Sequence, residues 1–193
     1  MKVISNTNKK VSIRLTGGHS FSVPEQLGKI ELVELLTERT LLVPEQFYAA
    51  EGVHTAFAAA GMPIEQEDAI LPIRTDKGMM ALVAVSAAEK EQLDALMAEG
   101  GRYTTPLLHP VGNIEPTIWI CDTEDLIYIK VYDPKLQMAE VVSIEDEADR
   151  DYLLARLTES CDEQRYTVRL QLRSNEKRIL RQYKNYFKRL QCE

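Results

Sequence analysis

Apolar and polar positions alternate in short runs along most of this chain, and a few helical stripes separate the runs. Val11-Ser12-Ile13-Arg14-Leu15 alternates as a half-buried strand does. After Thr16-Gly17-Gly18, His19-Ser20-Phe21-Ser22-Val23 alternates again, and two such runs around Gly-Gly predict a β-hairpin. Residues 29–36 read as a third strand or a short helix, and residues 40–43 as a strand ending at Pro44. Pro44 suits the first turn of a helix, whose apolar face would carry Phe47, Ala50, Val53, Phe57 and Ala60. Residues 67–74 and 79–85 predict two strands around Asp76-Lys77-Gly78. Ser86-Ala87-Ala88-Glu89 has the form of a capping box and opens a helix with Leu93, Leu96 and Met97 on one side. Gly100-Gly101 closes it, and residues 103–108 read as a returning strand.

The pattern then pauses. Residues 109–115 hold Pro110, Gly112 and Asn113 with little periodicity, and they read as a linker. Beyond it, residues 117–121, 126–132 and 137–142 predict three strands, joined by the turn sequences Asp122-Thr123-Glu124-Asp125 and Asp133-Pro134-Lys135. Ser143-Ile144-Glu145-Asp146 signals a helix start, with Ala148, Tyr152, Ala155 and the Leu153/Leu154/Leu157 set inward. Tyr166 to Arg173 alternates as a strand. Ser174 caps a last helix with Ile179, Tyr183, Tyr186, Phe187 and Leu190 along one stripe. Residues 1–10 are polar and read as a flexible N-terminus. The fold class is therefore α/β with mixed sheets, in two halves of similar grammar, residues 11–108 and 116–191.

Composition changes this picture little, and charge changes it more. The 193 residues are 45% hydrophobic and 27% charged, which is ordinary globular usage and excludes collagenous or wholly disordered chains. No apolar run approaches the ~18 residues of a membrane helix, and residues 1–10 lack the apolar stretch of a secretory signal, so a cytoplasmic protein without membrane insertion is expected. The net charge of −7 is uneven. Residues 165–193 hold nine basic and two acidic residues, a net of +7, which leaves −14 for residues 1–164. Arg181, Lys184, Lys188 and Arg189 in that tail interleave with Tyr183, Tyr186 and Phe187, a composition that suits nucleic acid or an acidic partner. The competing reading packs the aromatics on a sheet and leaves the basic residues solvated or paired with the acidic helix that follows Ile144.

Candidate chemistry is sparse. Cys121, Cys161 and Cys192 are scattered and odd in number, and they fit neither a disulfide framework nor a zinc site. Cys121 lies in an apolar run and reads as a buried small hydrophobe. His19, His54 and His109 are far apart and read as structural, and no G-x-S-x-G elbow is present. No metal and no cofactor is expected.

Three antiparallel strands followed by helix, strand and helix is the order of a ribonuclease-H-like unit. Two such βββαβα units in tandem resemble the actin, sugar-kinase and heat-shock ATPase superfamily. The wording of Val11-Ser12-Ile13-Arg14-Leu15, of Thr40-Leu41-Leu42-Val43-Pro44-Glu45-Gln46-Phe47 and of Ile144-Glu145-Asp146-Glu147-Ala148-Asp149 is also similar to an uncharacterised bacterial family with a shortened form of that fold. The resemblance implies phosphate binding on the first turn of each half, where glycines admit backbone amides to the phosphates and a carboxylate manages Mg²⁺. The first turn keeps Thr16, Gly17 and Gly18 but has Arg14 and Leu15 where a carboxylate would stand. The second keeps Asp122 and two further acids but has no glycine. Each half thus holds a different fragment of the site. The expectation is a non-catalytic scaffold that binds another protein. The alternatives are a nucleotide-binding ATPase or kinase using Thr16, Gly17, Gly18 and Asp122, and a nucleic-acid-associated protein using the basic tail.

Overall fold

The computed structural model describes residues 3–7, 9–17, 30–62, 64–75, 78–97, 100–112, 115–162, 165–173 and 177–193. The chain divides into two compact units, Met1–His109 and Pro110–Glu193.

The first unit contains β1 (Val3–Thr7), β2 (Lys10–Arg14), β3 (Leu32–Leu36), β4 (Thr40–Pro44), α1 (Val53–Ala59), β5 (Ala69–Arg74), β6 (Met79–Val85), α2 (Ala87–Leu96) and β7 (Arg102–Thr104). Two sheets form, in the orders β1-β2-β3-β7 and β4-β6-β5. β1 pairs antiparallel with β2, so a strand occupies much of the segment expected to be flexible. Its β-branched Val3, Ile4 and Thr7 favour extended backbone, and an edge strand needs only one partner. β3 runs parallel to β2, and β7 runs parallel to β3. Among the described residues β2 therefore lies between β1 and β3, and it does not form the expected meander there. A parallel neighbour needs a long crossover, whereas alternation on both sides of Gly-Gly imitates a tight hairpin. His19–Val23 and Gly18 lie outside the described residues.

β6 explains why Met79-Met80-Ala81-Leu82-Val83-Ala84-Val85 is apolar throughout. Alternate side chains of a strand point to opposite faces, and both faces are covered. Ala81, Val83 and Val85 join Val11, Ile13, Val33, Leu35 and the α2 residue Leu93 in one core. Met80, Leu82 and Ala84 join Val53 and Phe57 of α1 in another. The helix expected from Pro44 is shorter than its pattern. Glu45–Phe47 and Ala50–Gly52 are separate 3-10 turns, α1 starts at Val53, and Phe47 is 74% exposed rather than inward. The returning strand also stops early, at Thr104, because Pro106 has no N–H for a ladder and opens a 3-10 turn instead.

The second unit contains β8 (Thr117–Asp122), β9 (Leu126–Asp133), β10 (Lys135–Ser143), α3 (Glu147–Ser160), β11 (Thr167–Leu172), α4 (Lys177–Tyr186) and β12 (Leu190–Cys192). The sheet order is β10-β9-β8-β11-β12. The first three strands form an antiparallel meander, β11 lies parallel to β8, and β12 lies parallel to β11. This is the βββαβα order with one further strand. α3 and α4 cover one sheet face, where Ile118, Ile120, Ile129, Val168 and Leu170 meet Leu154, Leu157, Ile179, Tyr183 and Phe187. Trp119, Cys121, Tyr128 and Lys130 alternate with these and are also buried, with the Lys130 ammonium 4.3 Å from the Trp119 ring centre. α3 is capped by Asp146, whose carboxylate accepts from the amides of Ala148 and Asp149, while Ser143 belongs to β10. Tyr152 points outward at 64% exposure, against expectation, because the buried stripe of α3 is Arg150, Leu154 and Leu157.

Candidate functional site

The turn after β2 is a pair of backbone amides aimed at one carboxylate. Gly17 has φ of 69°, a left-handed value that glycine takes without the Cβ penalty. Thr16 N–H and Gly17 N–H both donate to Glu89 Oε1, at 3.1 and 3.2 Å. Glu89 Oε2 closes the capping box, accepting from Ser86 N–H at 3.0 Å and Ser86 Oγ at 3.1 Å, while Ser86 Oγ accepts from Glu89 N–H. Both oxygens of Glu89 are thus engaged, and the residue is 1% exposed. The glycine turn implied to cradle phosphate cradles the protein's own carboxylate. The capping box was legible in the sequence, but its second set of partners, 72 and 73 residues away, was not.

No carboxylate stands on the turn itself, but one lies in the neighbouring strand. Glu34 of β3 is fully buried and accepts from Ser12 Oγ at 2.7 Å and Lys10 Nζ at 3.1 Å, and its Oε1 lies 2.9 Å from His109 Nε2. Ser12 Oγ, Lys10 Nζ and His109 Nε2 thus converge on one buried carboxylate. Parallel pairing of β2 with β3 sets Ser12 opposite Glu34. The hairpin reading of the sequence hides that register.

The turn after β8 is filled in another way. Asp122 is fully buried. Its Oδ2 accepts from Arg150 Nε at 3.0 Å and from the Tyr183 hydroxyl at 2.9 Å, and its Oδ1 accepts from Glu124 N–H at 2.8 Å. Arg150 also donates to the Glu124 carbonyl at 2.7 Å. Glu124 takes φ of 80° at the position where a glycine would be unstrained. Burial, then the Asp122 charge, then the hydrogen bond to it hold the Tyr183 hydroxyl well above its ordinary pKa. Three donors thus converge on this buried carboxylate, two of them on Oδ2. One signal for Arg150 was available: it sits four residues before Leu154 on the inward stripe, the single base among Asp146, Glu147, Asp149 and Asp151.

The basic tail divides between core and solvent. Ile179, Tyr183 and Phe187 are buried, while Arg181, Lys184, Lys188 and Arg189 are exposed. Arg178 pairs with Glu147 at 2.7 Å, and Gln182 donates to the Glu147 carbonyl at 3.1 Å. Burial and a hydrogen bond to Asp151 raise the Tyr186 pKa. The aromatic interleaving is thus accounted for by packing and by contact with α3, not by rings presented for stacking on bases.

A groove of about 650 Å³ lies between β10 and α3. Ile129, Met138, Val142, Leu153 and Leu157 supply apolar lining, and Glu140, Glu145 and Asp149 stand around it. No motif marked it, because Met138, Glu140 and Val142 read in sequence as an ordinary half-exposed strand.

Among the described residues, no helix is long and apolar enough to cross a membrane. No group of three or more His, Cys, Asp or Glu among them could hold a metal ion.

No family model and no curated protein matches the chain. Among solved structures, the chain is similar to a Bacteroides thetaiotaomicron VPI-5482 protein with actin-like ATPase fold and unknown function, at 11% identity and a TM-score of 0.64, over 86% of this chain and 70% of that one. A second structure is the cytoplasmic domain of EpsL, an inner membrane component of the type II secretion system of Vibrio cholerae, at 13% identity and a TM-score of 0.41, over 84% and 69%. The chain has the actin-like ATPase fold.

Proposed function

We propose that this chain is a non-catalytic protein that binds another protein, built on the actin-like frame but binding no nucleotide. The observation that carries the reading is the Glu89 carboxylate on the amides of Thr16 and Gly17. An incoming phosphate would have to displace a negative group already seated there, and two anions at that range repel. Asp122 supports the same reading, since Arg150 and Tyr183 hold the oxygen that a magnesium ion would need. Phosphoryl transfer rests almost wholly on positioning and charge stabilisation around bound nucleotide and Mg²⁺, so loss of both turns removes its basis.

Isothermal titration of the full chain with Mg-ATP tests this directly. No saturable heat is expected up to millimolar nucleotide. A micromolar dissociation constant would overturn the reading, and detection of Mg-dependent phosphate release would do so independently.

A further inference from the structure

Resting on that partner-binding reading, we infer that the groove between β10 and α3 receives an amphipathic helix of a protein partner, apolar along one stripe and rich in Lys and Arg beside it. The shape of the site sets the occupant. Met138, Glu140 and Val142 share one face of β10, and Ile129 of β9 lies opposite Glu140 in the ladder. Leu153, Tyr152 and Leu157 form the facing wall on α3. From Asp149 to Ser160 that wall runs eleven steps, about 16 Å at 1.5 Å per residue, which is roughly three helical turns. α4 packs along one flank of α3, through Arg178–Glu147 and Gln182–Glu147. On the flank facing β10, no helix of this unit lies among the described residues. A helix laid there would continue the helical layer that α3 and α4 begin, with Met138 and Val142 beneath it. A strand added to the outer edge of β10 would hydrogen-bond beyond the groove and leave that lining uncovered, so the helix-in-groove mode fits better.

Charge selects the chemistry of the partner. Glu140 stands midway along the β10 side, and Glu145 and Asp149 stand at one end, against a single base, Arg156, among the described lining residues. Arg156 donates to the Tyr152 hydroxyl at 3.0 Å and lies 5.8 Å from its ring centre. This contact holds Tyr152, one of two large exposed hydrophobic residues among those described. A tyrosine set in place before binding loses little freedom on contact, and tyrosine is over-represented among the residues that dominate interfaces. Acidic groups around an apolar groove suit lysines and arginines beside an apolar stripe, and they would repel an acidic helix.

The probe is a fluorescent, amidated peptide of leucine and lysine about 14 residues long, with leucines at three- and four-residue steps. Two controls accompany it: the same leucine pattern with glutamates, and the same leucine-lysine composition scrambled. Anisotropy with the full chain at ~0.15 M salt, where exposed charges are screened beyond about 8 Å, should give micromolar binding for the patterned lysine peptide. Binding at least tenfold weaker is expected for both controls, for Tyr152→Ala and for the Glu140→Lys/Glu145→Lys double variant, with melting curves showing that the variants fold. No binding, equal binding of the three peptides, or insensitivity to both variants overturns the inference. Concentration-dependent dimerisation in sedimentation, lost in Tyr152→Ala, also overturns it by assigning the groove to a second copy. If peptide binding fails while Mg-ATP stays silent, the groove falls and the non-catalytic reading stands. If Mg-ATP binds while the patterned peptide also binds, the reverse holds.

Discussion

Replacing Arg150 with methionine probes the buried turn of the second unit most sharply. The native side chain is 5% exposed and faces an Asp122 carboxylate that is 0% exposed. It supplies two hydrogen bonds, one to Asp122 and one to the Glu124 carbonyl. Methionine keeps most of the aliphatic stem and removes both. Asp122 then retains the Tyr183 hydroxyl and the Glu124 amide but loses the one positive charge paired with it among the described residues. Removing one partner of a buried ion pair costs about 3–5 kcal/mol, because the remaining charge stays desolvated. At roughly 2–4 °C per kcal/mol for a chain of this length, the melting temperature should fall by roughly 6–20 °C. Urea denaturation followed by tyrosine fluorescence and by circular dichroism measures the loss. Asp122→Asn should relieve part of it, since the neutral amide needs no cation, so the double variant should cost clearly less than the two single losses added together. A single Arg150→Met loss below about 1 kcal/mol, or an additive double variant, would refute the view that this pair fills the turn as a unit.

Other outcomes follow from the same structure. Glu89→Ala removes a helix cap worth about 1 kcal/mol and frees the amides of Thr16 and Gly17, so it should lower stability by about 2–3 kcal/mol. Because the vacated amides can then take an anion, phosphate should raise the melting temperature of that variant more than of the native chain at equal ionic strength. Burial first, and the Asp94 charge second, push the Tyr103 hydroxyl up to about 12 from its ordinary 10.0. The unfolded chain therefore loses that proton first, and stability should be intact below pH 10 and fall between pH 10 and about 12. The Tyr103 hydroxyl is buried with no hydrogen-bond partner among the described residues, so Tyr103→Phe should leave the melting temperature unchanged or raise it, and should shrink that alkaline loss. Cys192 is exposed, Cys121 is buried, and burial raises the Cys161 thiol pKa, so a thiol reagent at pH 7 should label one cysteine quickly, at position 192.

What the sequence reveals here is local, and what it hides is pairing between distant segments. The meander of residues 117–142 is written as alternation plus turn residues, and both survive folding because each strand pairs with its neighbour in the chain. The Ser86–Glu89 cap is legible for the same reason. The parallel pairing of Ser12 with Glu34 leaves no local trace, so the alternation around Gly17-Gly18 points to a hairpin there, whereas the partners of β2 are β1 and β3. Leu190 falls three residues after Phe187 and so imitates one more step of a helical stripe, although α4 ends at Tyr186 and Leu190 begins a strand. At the turns, the family resemblance is what singles out Gly17 and Asp122. The sequence does not show the groups that fill these turns, because Glu89 and Arg150 arrive from helices 72 and 28 residues away.

The short β12 also bears on how the molecule can be handled. Its three residues lie against β11 from Val168 to Leu170, and the Glu193 amide extends the contact to the Leu170 carbonyl. β12 is the rim of the sheet on that side. A rim of three residues offers a visiting strand little to grip, whereas the six-residue β11 beneath it would present a longer and more apolar ladder. Trimming residues 190–193 would therefore convert a guarded margin into an adhesive one, and the expected penalty is clumping during refolding more than a lower melting point.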